Sequence, residues 1–123
     1  MTQERVRAIR GATTVIDDSA ESIFPRVQEL LLAIMSRNEV THGDIISVFF
    51  TATGDISSVF PATAAREIGF GDIPLICSTE IPVIGSTRLC IRVMCHVYSS
   101  REKQQIRHVY LHEAQGLRDD LPA

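Results

Sequence analysis

The chain has 123 residues, 45% apolar and 22% charged, with a mean hydropathy of +0.11, a globular composition outside the regime of disorder. Its net charge of −3 and pI of about 5.7 exclude the global basic field of a nonspecific nucleic-acid binder. The basic residues nevertheless divide unevenly, into eleven arginines and one lysine, Lys103.

Residues Val6–Val15 read as a strand, β-branched in its second half, with Gly11 allowing a bulge or a close backbone approach. Asp17, Asp18, Ser19 and Ser22 then offer helix caps. Ile23, Val27, Leu30, Leu31 and Ile34 follow at helical spacing, so a helix runs to about Arg37 with one apolar stripe. With Ser22 as cap, Pro25 falls harmlessly in the first turn; with Ser19 as cap it lies inside the helix and kinks it.

Thr41–Asp44 is a turn, and Ile45–Thr53 is a strand apolar enough for burial on both faces. Pro61 opens a short helix, Ala62–Ile68, which Gly69 or Gly71 closes. Ile73–Ser78 is a short strand, Pro82–Ser86 a loop, Arg88–Tyr98 the longest strand, Ile106–Leu111 the last, and residues 112–123 a polar tail. The order β-α-β-α-β-β-β without repeat or linker predicts a single α+β domain over residues 1–123. In it two helices cover one face of a mixed sheet of about five strands. In the strand Arg88–Tyr98 the odd positions are all apolar, whereas the even ones are Cys90, Arg92, Met94, His96 and Tyr98. An oligomer interface holding a polar site satisfies both faces.

No apolar h-region follows the arginines of Met1–Arg10. No apolar run approaches the ~20 residues of a membrane span. Three cysteines, an odd number, read as reduced thiols. The expectation is a cytoplasmic protein with neither membrane nor nucleic acid as a partner.

Cys90, Cys95, His108 and His112 match the spacing of a two-Cys, two-His zinc finger. Geometry argues against it. Five residues apart in a strand, the cysteines face opposite sides, and four residues of strand hold the histidines about 13 Å apart. Cys77 has no local signature of a nucleophile and reads as a small buried cysteine. GATT and GFGD lack the spacing and the lysine of a phosphate loop. No metal and no cofactor is expected. What remains is arginine where charge is expensive: Arg92 in mid-strand, Arg10 before the glycine of a β-prone segment, and Glu80 in a loop position suited to a ligand. Permanently protonated guanidinium forks suit a carboxylated small molecule. Codon bias remains the plain explanation for arginines such as Arg26, Arg37 and Arg101.

The segments Arg10-Gly-Ala-Thr-Thr-Val15, Thr51-Ala-Thr53, Val59-Phe-Pro-Ala62, Ala65-Arg-Glu67, Cys77-x-x-Glu80, Cys90-Ile-Arg-Val-Met94, Ile106-Arg-His-Val-Tyr-Leu111 and Leu117-Arg118 resemble, in order and spacing, the AroH-type monofunctional chorismate mutases. The resemblance covers nearly the whole chain. It implies a ferredoxin-like, pseudo-α/β-barrel homotrimer with active sites between subunits. The implied reaction is the Claisen rearrangement of chorismate to prephenate, an isomerisation in phenylalanine and tyrosine biosynthesis. By the same resemblance Arg92 meets the ether oxygen of the substrate, and Arg10 and Tyr110 hold carboxylate. Glu80 accepts the ring hydroxyl with Cys77 beside it, and Phe60 forms an apolar wall. Arg66, Leu117 and Arg118 line the mouth, with Phe60 and Arg66 coming from the subunit opposite the one that gives Arg10, Glu80 and Arg92.

Thr63 and Asp119 depart from that pattern, where the family can carry lysine and proline. The rivals are a trimeric binding or regulatory protein on a similar scaffold and a deaminase-like trimer acting on imines. The combination of Arg92, Glu80 and Arg10 disfavours the first and the near-complete motif match disfavours the second.

Overall fold

The computed structural model describes residues 3–118, and of Arg118 the backbone alone. The elements are β1 (Arg5–Thr14), α1 (Ala20–Asn38), β2 (Ile45–Ala52), α2 (Pro61–Ala65), β3 (Leu75–Thr79), β4 (Cys90–Ser99) and β5 (Val109–Tyr110). Short 3₁₀ turns occupy His42–Asp44, Lys103–Gln105 and His112–Arg118. The strands form one sheet in the order β3-β2-β4-β1-β5. Central β4 runs antiparallel to both neighbours, while β3 joins β2 and β5 joins β1 in parallel. This is the α+β sheet with two helices that the element order predicts.

Ile23, Val27, Leu30, Leu31 and Ile34 of α1 are all buried, in one cluster with Ile9, Val48, Phe50, Ile91, Val93, Cys95 and Val97 of the sheet. Burying one such side chain is worth about 1.5–3 kcal/mol, so this single stripe holds α1 on the sheet. Ala62, Ala64 and Ala65 of α2 join the same cluster, and both helices therefore cover one sheet face.

Four elements differ from expectation. Ser19, not Ser22, caps α1: its Oγ accepts the Ser22 N–H at 3.2 Å. The Ser22 hydroxyl is engaged elsewhere, accepting the Ile16 N–H at 2.8 Å. Pro25 thus lies inside α1, where it withdraws one donor from the helix ladder. Strand β2 is not buried on both faces of this chain, since Val48 and Phe50 are buried but Phe49 is 48% exposed. Helix α2 stops at Ala65, and Arg66–Phe70 forms a wider turn that Gly69 closes with φ +98°, a conformation glycine adopts without penalty.

The last strand is two residues, not six. Asn38 donates from Nδ2 to the Arg107 carbonyl at 2.8 Å and accepts the Arg107 N–H at 2.7 Å. The His108 ring accepts the Arg10 N–H at 2.9 Å. Side chains thus take backbone groups that a longer β5 would pair. Among the described residues no helix is long and apolar enough to cross a membrane.

Gly11 is a point of close approach between α1 and the sheet. The β1–β4 register is unbroken from Arg5/Ser99 to Thr14/Cys90, so Gly11 makes no bulge there. A Cβ on it would lie 2.9 Å from Ile34 Cδ1, 3.1 Å from Leu30 Cδ1 and 3.1 Å from the Val109 carbonyl oxygen. Gly11→Ala should therefore cost about 1–3 kcal/mol of overpacking, read as a lower urea midpoint. Gly71→Ala, at an α-region backbone with open space around it, should leave the midpoint unchanged or raise it. A Gly11→Ala midpoint equal to that of the parent would contradict the close approach.

Candidate active site

The face of the sheet turned away from the helices carries most of the candidate site residues. One cross-strand row on it runs Tyr110, Ala12, Arg92, Thr51, Ser78 from β5 to β3. The next row holds Arg10, Met94, Phe49 and Ile76. Ala12, fully buried, separates Arg92 from Tyr110 with a small side chain that Cys90, Ala114 and Leu117 cover. Around Arg92 lies a cavity of about 290 Å³ lined by Arg10, Phe49, Thr51, Glu80, Met94 and Tyr110 among others. Its floor is apolar strand and its polar groups converge.

Glu80 enters this cavity because β3 ends one residue before it and its N–H donates to the Ala52 carbonyl at 2.9 Å. Its Oε2 accepts a hydrogen bond from Thr51 Oγ1 at 2.5 Å and faces Arg92 Nε at 3.6 Å. The side chains of Arg92 and Glu80 remain 46% and 27% accessible, so the ion pair is solvated enough to be worth little to stability. Its consequence is geometric: the carboxylate and the guanidinium face each other at the cavity.

The structure brings Arg10, Glu80, Arg92 and Tyr110 together in one cavity. Leu117 packs with Tyr110 against the small cluster of Ala12, Cys90 and Ala114, on the same sheet face as Arg92. Burial pushes the Cys90 thiol up, opposed by the neighbouring Arg92 guanidinium. Burial alone pushes Cys95, on the opposite sheet face, up to about 12.

Cys77 does not join Glu80. Strand alternation turns it to the helix side, where it lines a separate cavity of about 270 Å³ with Ile56, Val59, Phe60 and Pro61. Phe60 is 69% exposed, and Arg66 is exposed on the turn after α2. The two cavities share no lining residue. The Arg118 side chain and Asp119 lie outside the described residues.

Two carboxylates unmentioned by any motif hold the loops around these cavities. Asp18 accepts the N–H groups of Ser57 and Ser58 at 3.1 and 3.0 Å, anchoring the segment that leads into Phe60. Asp55 accepts the Thr53 hydroxyl at 2.5 Å and the Leu89 N–H at 3.0 Å. The same Thr53 oxygen accepts the Cys90 N–H at 3.0 Å, so β2 is tied to the start of β4 two residues before Arg92.

Fold and cavity together define a chain whose central sheet gathers two arginines, a glutamate and a tyrosine in one cavity, a lining whose chemistry suits a small carboxylated molecule. Comparison with known proteins makes this specific. The profile of the family described as chorismate mutase type I matches residues 6–121. The chain is 44% identical over 117 residues to "Chorismate mutase AroH" of Thermus thermophilus, covering 94% of this chain and 96% of that one. It is 42% identical over 117 residues to "Chorismate mutase AroH" of Bacillus subtilis (strain 168), covering 94% and 92%. A solved chorismate mutase from Clostridium thermocellum superposes with a TM-score of 0.86 at 47% identity, covering 88% of this chain and 96% of that one. The chain belongs to the type I chorismate mutases, isomerases of aromatic amino acid biosynthesis.

The two loop carboxylates give a pH signature. Hydrogen bonds, first the Ser58 side chain and then the Ser57 and Ser58 backbone, hold Asp18 below the ordinary 3.8 against some desolvation. For Asp55 desolvation is the largest influence and pulls upward, but Thr53, the Leu89 N–H and Arg88 outweigh it, and its pKa is also lowered. A lowered folded pKa adds stability that is present above 3.8 and is lost as pH falls through the folded values. Asp18→Asn/Asp55→Asn should therefore lose less stability between pH 5 and 2.5 than the parent, measured by thermal midpoint across that range. Parallel acid limbs for the two proteins would contradict the assignment.

Proposed function

We propose that the chain converts chorismate to prephenate by holding the dicarboxylate in a chair-like conformer in the Arg92 cavity. The rearrangement is a concerted, unimolecular [3,3] shift. One C–O bond breaks as one C–C bond forms, with no proton transferred, and so no nucleophile or general base takes part. A rate enhancement of even 10⁶ needs about 8 kcal/mol. A single preorganised donor at a developing oxyanion supplies about 3–4 kcal/mol. Restriction of the flexible substrate to a near-attack conformer supplies much of the rest.

In this reading Arg92 donates to the ether oxygen, where negative charge accumulates as the C–O bond lengthens. Arg10 and Tyr110 hold substrate carboxylate, and Glu80 accepts the ring hydroxyl. The observation that carries the reading is the Arg92 guanidinium, fixed by Glu80 on the central strand within a cavity that also holds Arg10 and Tyr110. Leu117 and Arg118 close the mouth.

The site is completed between copies. Phe60, Cys77 and Arg66 belong to the other half, contributed by a neighbouring chain of a homotrimer that works in the cytoplasm. Two observations support this arrangement: the half-site with Phe60 and Cys77 shares no lining residue with the Arg92 cavity. The sheet face around Arg92 also leaves Val6, Phe49, Ile76 and Tyr98 between 48% and 60% exposed, apolar side chains of the kind an interface covers. Cys77 thus meets Glu80 only across the interface.

Chorismate absorbance should fall when purified protein is added. Arg92→Ala should lower kcat by about 10²–10³-fold or more, and Arg92→Lys should recover little of it because lysine lacks the planar fork. Guanidinium groups stay protonated, so kcat should be nearly flat from pH 6 to 9. Full activity in Arg92→Ala, or a steep pH dependence in that range, would overturn the reading.

A further inference from the structure

We infer that Thr51 is a positioning residue for catalysis, acting through Glu80. The inference rests on the proposed role of Glu80 as acceptor of the substrate hydroxyl. Thr51 is the direct cross-strand partner of Arg92 and lines the same cavity. Its hydroxyl carries one proton, and that proton is given to Glu80 Oε2 at 2.5 Å. The same Oε2 lies 3.6 Å from Arg92 Nε, so a single carboxylate oxygen takes both neighbours. Among the described residues Oε1 accepts no protein donor.

This asymmetry matters because the terminal torsion of a glutamate is broad, with its two oxygens interchangeable. A carboxylate held by Arg92 alone could present either oxygen to the guanidinium and swing with it. The Thr51 donor breaks the degeneracy: it pins Oε2 to the sheet and leaves Oε1 directed at substrate. The backbone does the rest, since Glu80 N–H is tied to Ala52, the neighbour of Thr51 on β2. Strand packing does not require the hydroxyl. Valine has the same branched shape and serves a β position equally well, so the oxygen is what distinguishes this residue.

The test is a double-mutant cycle in chorismate turnover on the full chain, with thermal midpoints measured for every variant. Thr51→Val removes a hydrogen bond to a charged group, so it should lower kcat about tenfold or more while moving KM much less. Thr51→Ser, which keeps the donor, should stay within about threefold of the parent. In a Glu80→Ala background Thr51→Val should have no further effect, because the acceptor through which it acts is gone.

A merely structural Thr51 would instead lower the midpoint and reduce activity equally in both backgrounds, and that result overturns the inference. So does a Thr51→Val chain as active as the parent while Glu80→Ala is impaired, or a loss that serine fails to rescue. A Glu80→Ala chain with full kcat overturns the Glu80 reading, and this inference with it. Should Thr51→Val fail to fold, the cycle run with Thr51→Ala decides in the same way.

Discussion

One cation on the central strand organises this molecule. Arg92 stands in β4, flanked on both sides by other strands, where backbone donors and acceptors are consumed by the ladder and cannot solvate a side chain. A guanidinium there needs partners that hold it without neutralising it. Glu80 at 3.6 Å and the cavity above it meet that need. A tighter, fully buried pair would cost several kcal/mol of desolvation per ion and leave nothing for a ligand. Thr51 beside Arg92 donates to the same Glu80 carboxylate, and Asp55 pins the start of the strand through Leu89.

The two faces of the sheet divide the work. The helix side is a dry interlocked core in which Gly11 lets α1 press against β1, and this rigidity is what gives the opposite face a fixed row of side chains. That face carries exposed aromatic and aliphatic groups beside charged ones, a mixture that suits a subunit interface with a polar site embedded in it. The net charge of −3 is no obstacle to an anionic substrate. Coulomb interactions beyond about 8–10 Å are screened at ordinary ionic strength, and within that distance the cavity holds Arg10 and Arg92 against one glutamate.

Much of this was legible in the residues. The 3.6-residue stripe of α1, the alternation of β4 and the β-α-β-α-β-β-β order all survive in the structure, because each is a local pattern enforced by one buried face. What escaped depends on distant partners. Ser19 and Ser22 are equal as caps until Ile16 claims the Ser22 hydroxyl. The strand at Ile106–Leu111 looks longer than it is because Asn38, some seventy positions away, takes the Arg107 backbone. Arg92 was visible as a charge in an expensive place, but its pairing with Thr51 is a matter of register, which no sequence pattern carries. Cys77 was associated with Glu80 through the family motif. Within one chain strand parity separates them, a relation that the motif spacing does not carry.

That separation makes the central claim, that each chain carries two half-sites which meet between copies, directly measurable. Two variants should each be nearly inactive alone: one with Arg92→Ala, the other with Phe60→Ala and Arg66→Glu. Unfolded, mixed in equal amounts and refolded together, random trimers should regain about a quarter of the parent activity, since one interface in four pairs two intact halves. A mixture no more active than the average of the two variants would contradict a site built between chains.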